Sequence, residues 1–441
     1  MTMGDQSQEE TAQLEAKRQK NAGLPISRLP PEILGAIFLL LRMPFWRKKK
    51  TPPQFVVSYV SHAWRRVALG TTELWDTLIV RSWVSRKLLH LHLERSCARP
   101  LTIAYADDDP SMLDTLVRYI DRWSVVNLDI ANPYPMLETL VPLRAPALKV
   151  FEVSIGNAAE RAGDGQAVLS LFSNGAPALT SLRLHGISFD SCIAPLSHLQ
   201  TLNVTCYHRT VRIDEIISAL ASTPLLTLLR LHFKFVEGME EPRPPIPLHS
   251  LKSLGLLLTD RDDLYLARFC RLLDTPSLEK LHVSFKEGAQ PYGSAFVDFL
   301  RSGRIGETLK TLHIDSAPPG LDVLRLLPGI TDLMVQHQYQ LYEPDIFQLL
   351  TLPPSTAAAE VIFPALRSVT LVHGWSTAVA LDTPDYDPNE TLRAMVASRM
   401  GTLESVAVAA HGMAHFEESG AMRWLLGQSG TGVRVTLEED M

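Results

Sequence analysis

One pattern recurs along most of this chain: apolar-x-x-apolar-x-apolar. It reads VVNLDI from Val125, LKVFEV from Leu148, LTSLRL from Leu179, LQTLNV from Leu199, LTLLRL from Leu226 and LKSLGL from Leu251. It continues as LEKLHV from Leu278, LKTLHI from Leu309, ITDLMV from Ile330, LRSVTL from Leu366 and LESVAV from Leu403. Intervals run from 20 to 37 residues and average about 28, the period of solenoids built from one supersecondary unit per coil. The period-two alternation makes the last three positions a strand with its apolar side chains on one face, and the leading apolar residue closes the turn into it. No single copy can bury that face, so the copies must stack over one continuous core. Between them SMLDTLVRYIDRW, IDEIISALAS, DLYLARFCRLLD, SAFVDFLRSG and ETLRAMVASRM have the apolar spacing of helices. The predicted fold class is α/β: an irregular solenoid over 79–441, with parallel strands on a concave side and helices on a convex side. The inserts EGMEEPRPPIPLHS and DTPDYDPNE are polar, Pro-rich or acidic and read as surface loops.

A different pattern precedes the array. In LPPEILGAIFLLL, Pro30 and Pro31 suit a first helical turn, Glu32 complements the helix dipole, and Ile33, Leu34, Ile37, Phe38 and Leu41 fall on one broad face. Val57, Val60, Trp64 and Val67 predict one face of a second helix. A unit of residues 27–69 is close to the limit of about 40 residues below which a fold needs a staple, so part of the apolar stripe must be covered either by the following domain or by another protein.

The order LPPEIL..IF..L, a linker, then VS.AWR.VAL....LW resembles the F-box, in the F-box-like form common at the head of basidiomycete fungal proteins. With the repeats that follow, the chain resembles F-box proteins carrying degenerate leucine-rich repeats. The resemblance implies that residues 24–78 dock a Skp-type adaptor and, through it, the cullin of an SCF ubiquitin ligase. It carries adaptor-facing or supporting roles onto Leu29, Pro30, Ile33, Leu34, Ile37, Phe38, Val60 and Trp64. The linker RMPFWRKKKTPPQF departs from the short acidic or Leu-rich middle usual in the family, and the asparagine usual after each repeat strand is mostly replaced, as by Gly186, Cys206, Phe233 and Leu258. Residues 1–23 read as a disordered or frayed lead-in. A ligase-independent scaffold, in which the opening helices merely cap the solenoid, uses the same residues and is the alternative.

The remaining signals bound the function. A net charge of −6 points to neither a generic nucleic-acid surface nor an acidic tail. Four scattered cysteines, no secretory leader and no apolar run of about 20 residues predict a cytoplasmic or nuclear protein with no membrane segment. Arg47 to Lys50 read as a solvated loop before an import signal. A search for chemistry finds only Asp107 to Asp109 without a paired carboxylate, and HGMAH at 411–415 without the glutamate of a metalloprotease. The chain is therefore predicted to be no enzyme and to hold no metal or cofactor. One outward pattern does recur: inward leucines at 182 and 184 turn Arg183 and His185 outward, and the same arithmetic exposes Arg230, His232, Lys280, His282 and His313. Such a face would receive an acidic or phosphorylated segment of a target protein.

Overall fold

The structure, a computed structural model, describes residues 12–13, 15–21, 23–41, 52–82, 84–107, 109–131, 134–155, 169–187, 192–193, 196–236, 244–258, 269–285, 294–302, 305–316, 321–336, 346–352, 361–372, 388–409 and 434–438. Its contacts divide the chain into two compact units, one of residues 1–159 and 169–179, the other of 160–168 and 180–441.

The first unit opens with α1 (Pro31–Leu40), α2 (Pro53–Ser58) and α3 (His62–Gly70). Pro30 and Pro52 are extended at the two N-caps, where proline leaves no amide unpaired. The single helix predicted across Val57 to Val67 is in fact two. Ser61 is extended, with φ −158° and ψ 167°, and its side chain caps the new helix by accepting from the Trp64 amide at 3.2 Å. Val57 and Val60 consequently do not share a face: Val57 is buried and Val60 exposed.

Four parallel strands follow in chain order, β1 (Thr77–Arg81), β2 (Leu101–Ala106), β3 (Trp123–Ile130) and β4 (Val150–Ile155). Helix α4 (Arg86–Arg95) connects the first two, and helices Ser111–Val117 and Tyr134–Leu140 connect the rest. SMLDTLVRYIDRW thus forms a shorter helix than predicted, followed by a 3-10 turn at Ile120–Arg122. The two-residue strand β5 (Leu169–Ser170) completes the unit.

Two strands at the head of this ladder escaped the pattern, and a third copy starts at another residue. Val126 pairs with Phe151 and Leu128 with Val153, so the copy on β3 begins at the buried Trp123 rather than at the half-buried Val125. Trp75-x-x-Leu78-x-Val80 on β1 is the same motif. Both tryptophans close their coil identically: Nε1 of Trp75 donates to the Ala68 carbonyl at 2.8 Å, and Nε1 of Trp123 to the Leu116 carbonyl at 3.2 Å. Each acceptor lies near the C-terminal end of the preceding helix, and the Leu116 carbonyl accepts from the Tyr119 amide at 2.9 Å as well.

The second unit continues the motif as β6 (Ser181–His185), β7 (Cys192–Ile193), β8 (Thr201–Arg212), β9 (Leu228–Val236), β10 (Ile246–Pro247), β11 (Ser253–Leu258) and β12 (Leu273–Asp274). The rest are β13 (Lys280–Phe285), β14 (Thr311–Ser316), β15 (Asp332–Gln336), β16 (Ser368–Val372), β17 (Ser405–Ala409) and β18 (Arg434–Glu438). Their order is β6-β8-β9-β11-β13-β14-β15-β16-β17-β18, every pair parallel, while β10 pairs only with β12. The end of DLYLARFCRLLD, predicted helical, supplies β12. Helices Ile213–Ala221, Ser294–Ser302 and Pro388–Ser398 stand where the apolar spacing predicts them. Successive parallel strands alternating with helices are compatible with a solenoid-like α/β fold.

The core of this unit is the motif itself. Leu182 and Leu184, Leu202 and Val204, Leu229 and Leu231, Leu254 and Leu256, and Leu281 and Val283 are all buried, as is each leading leucine from Leu199 to Leu309. The residue after each leading leucine donates its amide to its counterpart one coil earlier: Gln200 to Thr180, Thr227 to Gln200, Lys252 to Thr227, Glu279 to Lys252 and Lys310 to Glu279, at 2.8 to 2.9 Å. A backbone ladder at the strand entry thus ties the coils together where their backbone groups would otherwise be orphaned.

Later coils add a buried cation. Arg399 donates from Nε to the Leu350 carbonyl at 2.8 Å, from Nη1 to Phe363 at 2.9 Å and from Nη2 to Ile362 at 2.6 Å. One guanidinium fork thereby satisfies three carbonyls from helix Ile346–Leu350 and the turn at 362–363. Burial holds its pKa below the usual arginine value. Among the described residues no helix is long and apolar enough to cross a membrane.

Candidate functional sites

In the opening helices the structure separates residues that periodicity grouped. Leu34 and Phe38 face inward, 4% and 1% exposed, and pack with Val57, Ala68, Leu74 and Trp75. Leu91 of α4 packs against the same cluster, so residues beyond the helical segment complete its core. Phe38 meets Trp64 with ring centroids 5.0 Å apart, leaving that tryptophan half-buried in a supporting position. The rest of the predicted stripe turns to solvent: Ile33 is 50% exposed, Ile37 37% and Val60 53%, with Leu29 and Pro30 also exposed.

The outward set is larger than the sequence pattern indicated. Leu24, Ile26, Leu40, Leu41, Val56 and Tyr59 join Leu29, Ile33, Ile37 and Val60, whereas the remaining large apolar residues exposed among the described residues are only Leu225, Leu321 and Met400. Scattered exposed leucines need no explanation, but ten within residues 24–60 are a concentration of the kind that marks interaction surfaces. Beneath this surface lies a buried imidazole. His92 of α4 packs edge-on against Trp75 at 5.1 Å and tilts against Phe55 at 5.8 Å, with its Nε2 3.5 Å from Nε2 of the buried Gln54. Burial lowers its pKa from 6.5 to about 4, so the ring is neutral at physiological pH.

The second candidate is the outward face of the second unit's strands, and its register aligns the predicted residues in three rungs. One rung passes through Arg183, Asn203, Arg230, Gly255, His282 and His313. A second passes through His185, Thr205, His232, Leu257 and Ser284, and a third through Ser181, Thr201, Leu228, Ser253 and Lys280. Arg183, Arg230 and Lys280 are exposed, and His185, His232, His282 and His313 half-buried, so the predicted alternation holds. Three of the four imidazoles do not lie beside one another as a single stack, since His185 and His232 occupy a different rung from His282 and are separated by Thr205. His282 and His313 do stack, with centroids 3.8 Å apart and planes 10° from parallel. From β6 to β13 these rungs carry no carboxylate; the first acid on them is Asp315 of β14.

No group of three or more potential metal ligands occurs among the described residues. HGMAH, the basic run Arg47 to Lys50 and the DTPDYD portion of the acidic insert lie outside them. Cys97 is exposed, while Cys206 and Cys270 fill the core, and burial raises the Cys270 pKa. Asp109 does not pair with another acid: it accepts from the Ser111 amide at 2.9 Å and hydroxyl at 2.7 Å, and these bonds lower its pKa. In comparison with known proteins, no family model matches the chain and no curated protein aligns with it.

Proposed function

We propose that the chain is a non-catalytic substrate receptor of an SCF-type ubiquitin ligase. Its opening helices dock a Skp-type adaptor, and its leucine-rich-repeat-like strands hold a target protein. The observation that carries this reading is the exposed apolar surface at Leu29, Ile33, Ile37 and Val60, which lies over a core that is already complete without it. What these side chains leave exposed gains by burial against a partner, each contributing a fraction of the about 1.5–3 kcal/mol that covering a fully exposed side chain is worth. Co-purification with Skp-type adaptor tests it. Ile33→Glu/Ile37→Glu should lose the adaptor while the chain stays folded, because neither residue is buried; equal recovery by this variant and the unaltered chain would sink the reading.

A second reading has its own support. Leu34, Phe38 and Val57 pack against Trp75 at the entry to β1, so the helices also cover the start of the strand ladder in their unit, as a terminal cap does. A ligase-independent scaffold needs only that inward half. It predicts that Ile33→Glu/Ile37→Glu leaves every interaction of the chain intact, whereas deletion of residues 1–78 makes the remainder aggregate.

A further inference from the structure

The middle rung of the second unit has a gap that one side chain fills. Gly255 stands between Arg230 and His282, and a Cβ placed on it would lie 3.1 Å from Cγ and 3.4 Å from Nε of Arg230. Arg230 therefore leans across β11, over a residue with no side chain to resist it. On the next strand His282 packs face to face with His313, and the two rings restrict each other's rotation. Lys280, exposed, precedes His282 by two residues on the same face of β13. The arrangement holds two cations, Arg230 and Lys280, in a chain whose net charge is −6, and the first acid on these rungs is Asp315, two residues beyond His313 on β14.

The geometry points to a site for one phosphorylated serine or threonine on an extended segment of a target protein, seated over Gly255 between the Arg230 guanidinium and the His282 imidazole. A carboxylate offers a single charge and two acceptor oxygens. A phosphomonoester carries a charge near −2 and three oxygens, enough to accept from more than one N–H of the Arg230 fork, with Lys280 contributing field. Adjacent strands lie about 4.8 Å apart, so Arg230 and His282, on either side of β11, are held about 10 Å apart at the backbone with the space over Gly255 between them, and little ordering is needed on binding. The inference rests on the reading that the repeat strands take the target, but adaptor docking at residues 24–60 is measured separately.

The test uses the full chain, immobilised, and a random peptide pool with a fixed central phosphoserine. Pools with serine or glutamate at that position, and an oligonucleotide of similar charge, serve as comparisons. Retention of the phosphoserine pool should exceed that of the serine and glutamate pools about tenfold or more and fall with added inorganic phosphate. Gly255→Val removes no charge and places a strand-favouring side chain on the outward face. It should lower retention about tenfold by displacing Arg230 from the gap. Arg230→Gln, at an exposed position, should lower it at least as much and keeps the test decisive if Gly255→Val does not fold. Arg183→Gln, two strands away beyond Asn203, should change it less than about twofold. The inference is overturned by a phosphoserine pool retained no better than the serine or glutamate pool, by equal retention of the oligonucleotide, or by Arg230→Gln binding as the unaltered chain does. Loss of adaptor capture with phosphopeptide retention intact would overturn the ligase reading and leave this site standing.

Discussion

Acidification should loosen the first unit through one residue, His92. Its imidazole lies among Trp75, Phe55 and Gln54, and burial lowers its pKa to about 4, against 6.5 for an ordinary histidine. Between those two pH values the unfolded chain binds a proton that the folded chain refuses, so stability rises with pH across the window and falls as pH drops from 6.5 to 4. At about 1.4 kcal/mol for each pH unit the whole effect comes to about 3 kcal/mol, of which about 2 kcal/mol is lost by pH 5. Because the chain comprises two compact units, a global melt would mix them, and peptide-resolved hydrogen exchange is the cleaner assay. After correction for intrinsic exchange, amides of α2, α3 and α4 should lose protection about thirtyfold between pH 7 and pH 5. His92→Phe keeps a ring against Trp75 and removes the titration, so its protection should change much less over the same range. Parallel pH dependence in the variant and the unaltered chain would refute the assignment.

Two other substitutions test the packing devices. Arg399→Met leaves the Leu350, Ile362 and Phe363 carbonyls without their shared donor and should destabilise the second unit by about 3 kcal/mol or more, read as faster exchange in helix Pro388–Ser398 and strand β16; Arg399→Lys, which lacks the fork, should recover only part of it. Trp123→Phe keeps most of the buried ring but removes the bond to the Leu116 carbonyl, at a cost of about 1 kcal/mol, measurable as lower protection in helix Ser111–Val117 and β3.

The strand ladder was legible wherever a branched aliphatic residue began the motif and opaque where it did not. From Leu148 to Leu403 the leading residue is Leu or Ile, and every copy runs into a strand. At β1 and β3 the leading residue is Trp75 or Trp123, which fills the same turn but also donates a hydrogen bond that no aliphatic residue can make. A search for leucine-like anchors therefore starts β3 two residues late and passes over β1. At β2 the position is Pro100, and the register shifts between Leu101 and Thr102; at β18 it is Gly432. Those strands are held by their neighbours rather than announced by their own sequence. Arg399 gave no signal at all, because nothing local distinguishes an arginine that will be buried on backbone carbonyls from one that will be solvated.

At the opening helix the sequence contained more than the one-face reading drew from it. Successive residues turn by about 100°, so Leu40, Ile33, Ile37, Leu41, Leu34 and Phe38 spread in that order across an arc of about 160°. A stripe of about 100° suffices for a helix that packs on one core. Only the far edge of the arc, Leu34 and Phe38, is buried, and the other four residues are exposed. Periodicity alone fixes the arc but not which edge lies inward; that is settled by Val57, Ala68, Leu74 and Trp75, which come from elsewhere in the chain. The width of the arc nevertheless carries information that its direction does not. An apolar arc wider than one core can cover, on a helix of residues 31–40, calls for a second covering surface, and the described residues leave Leu40 83%, Ile33 50% and Ile37 37% exposed. The excess width of that arc is the physical reason for proposing a partner protein at the outward edge, while the inward edge packs in the chain's own fold.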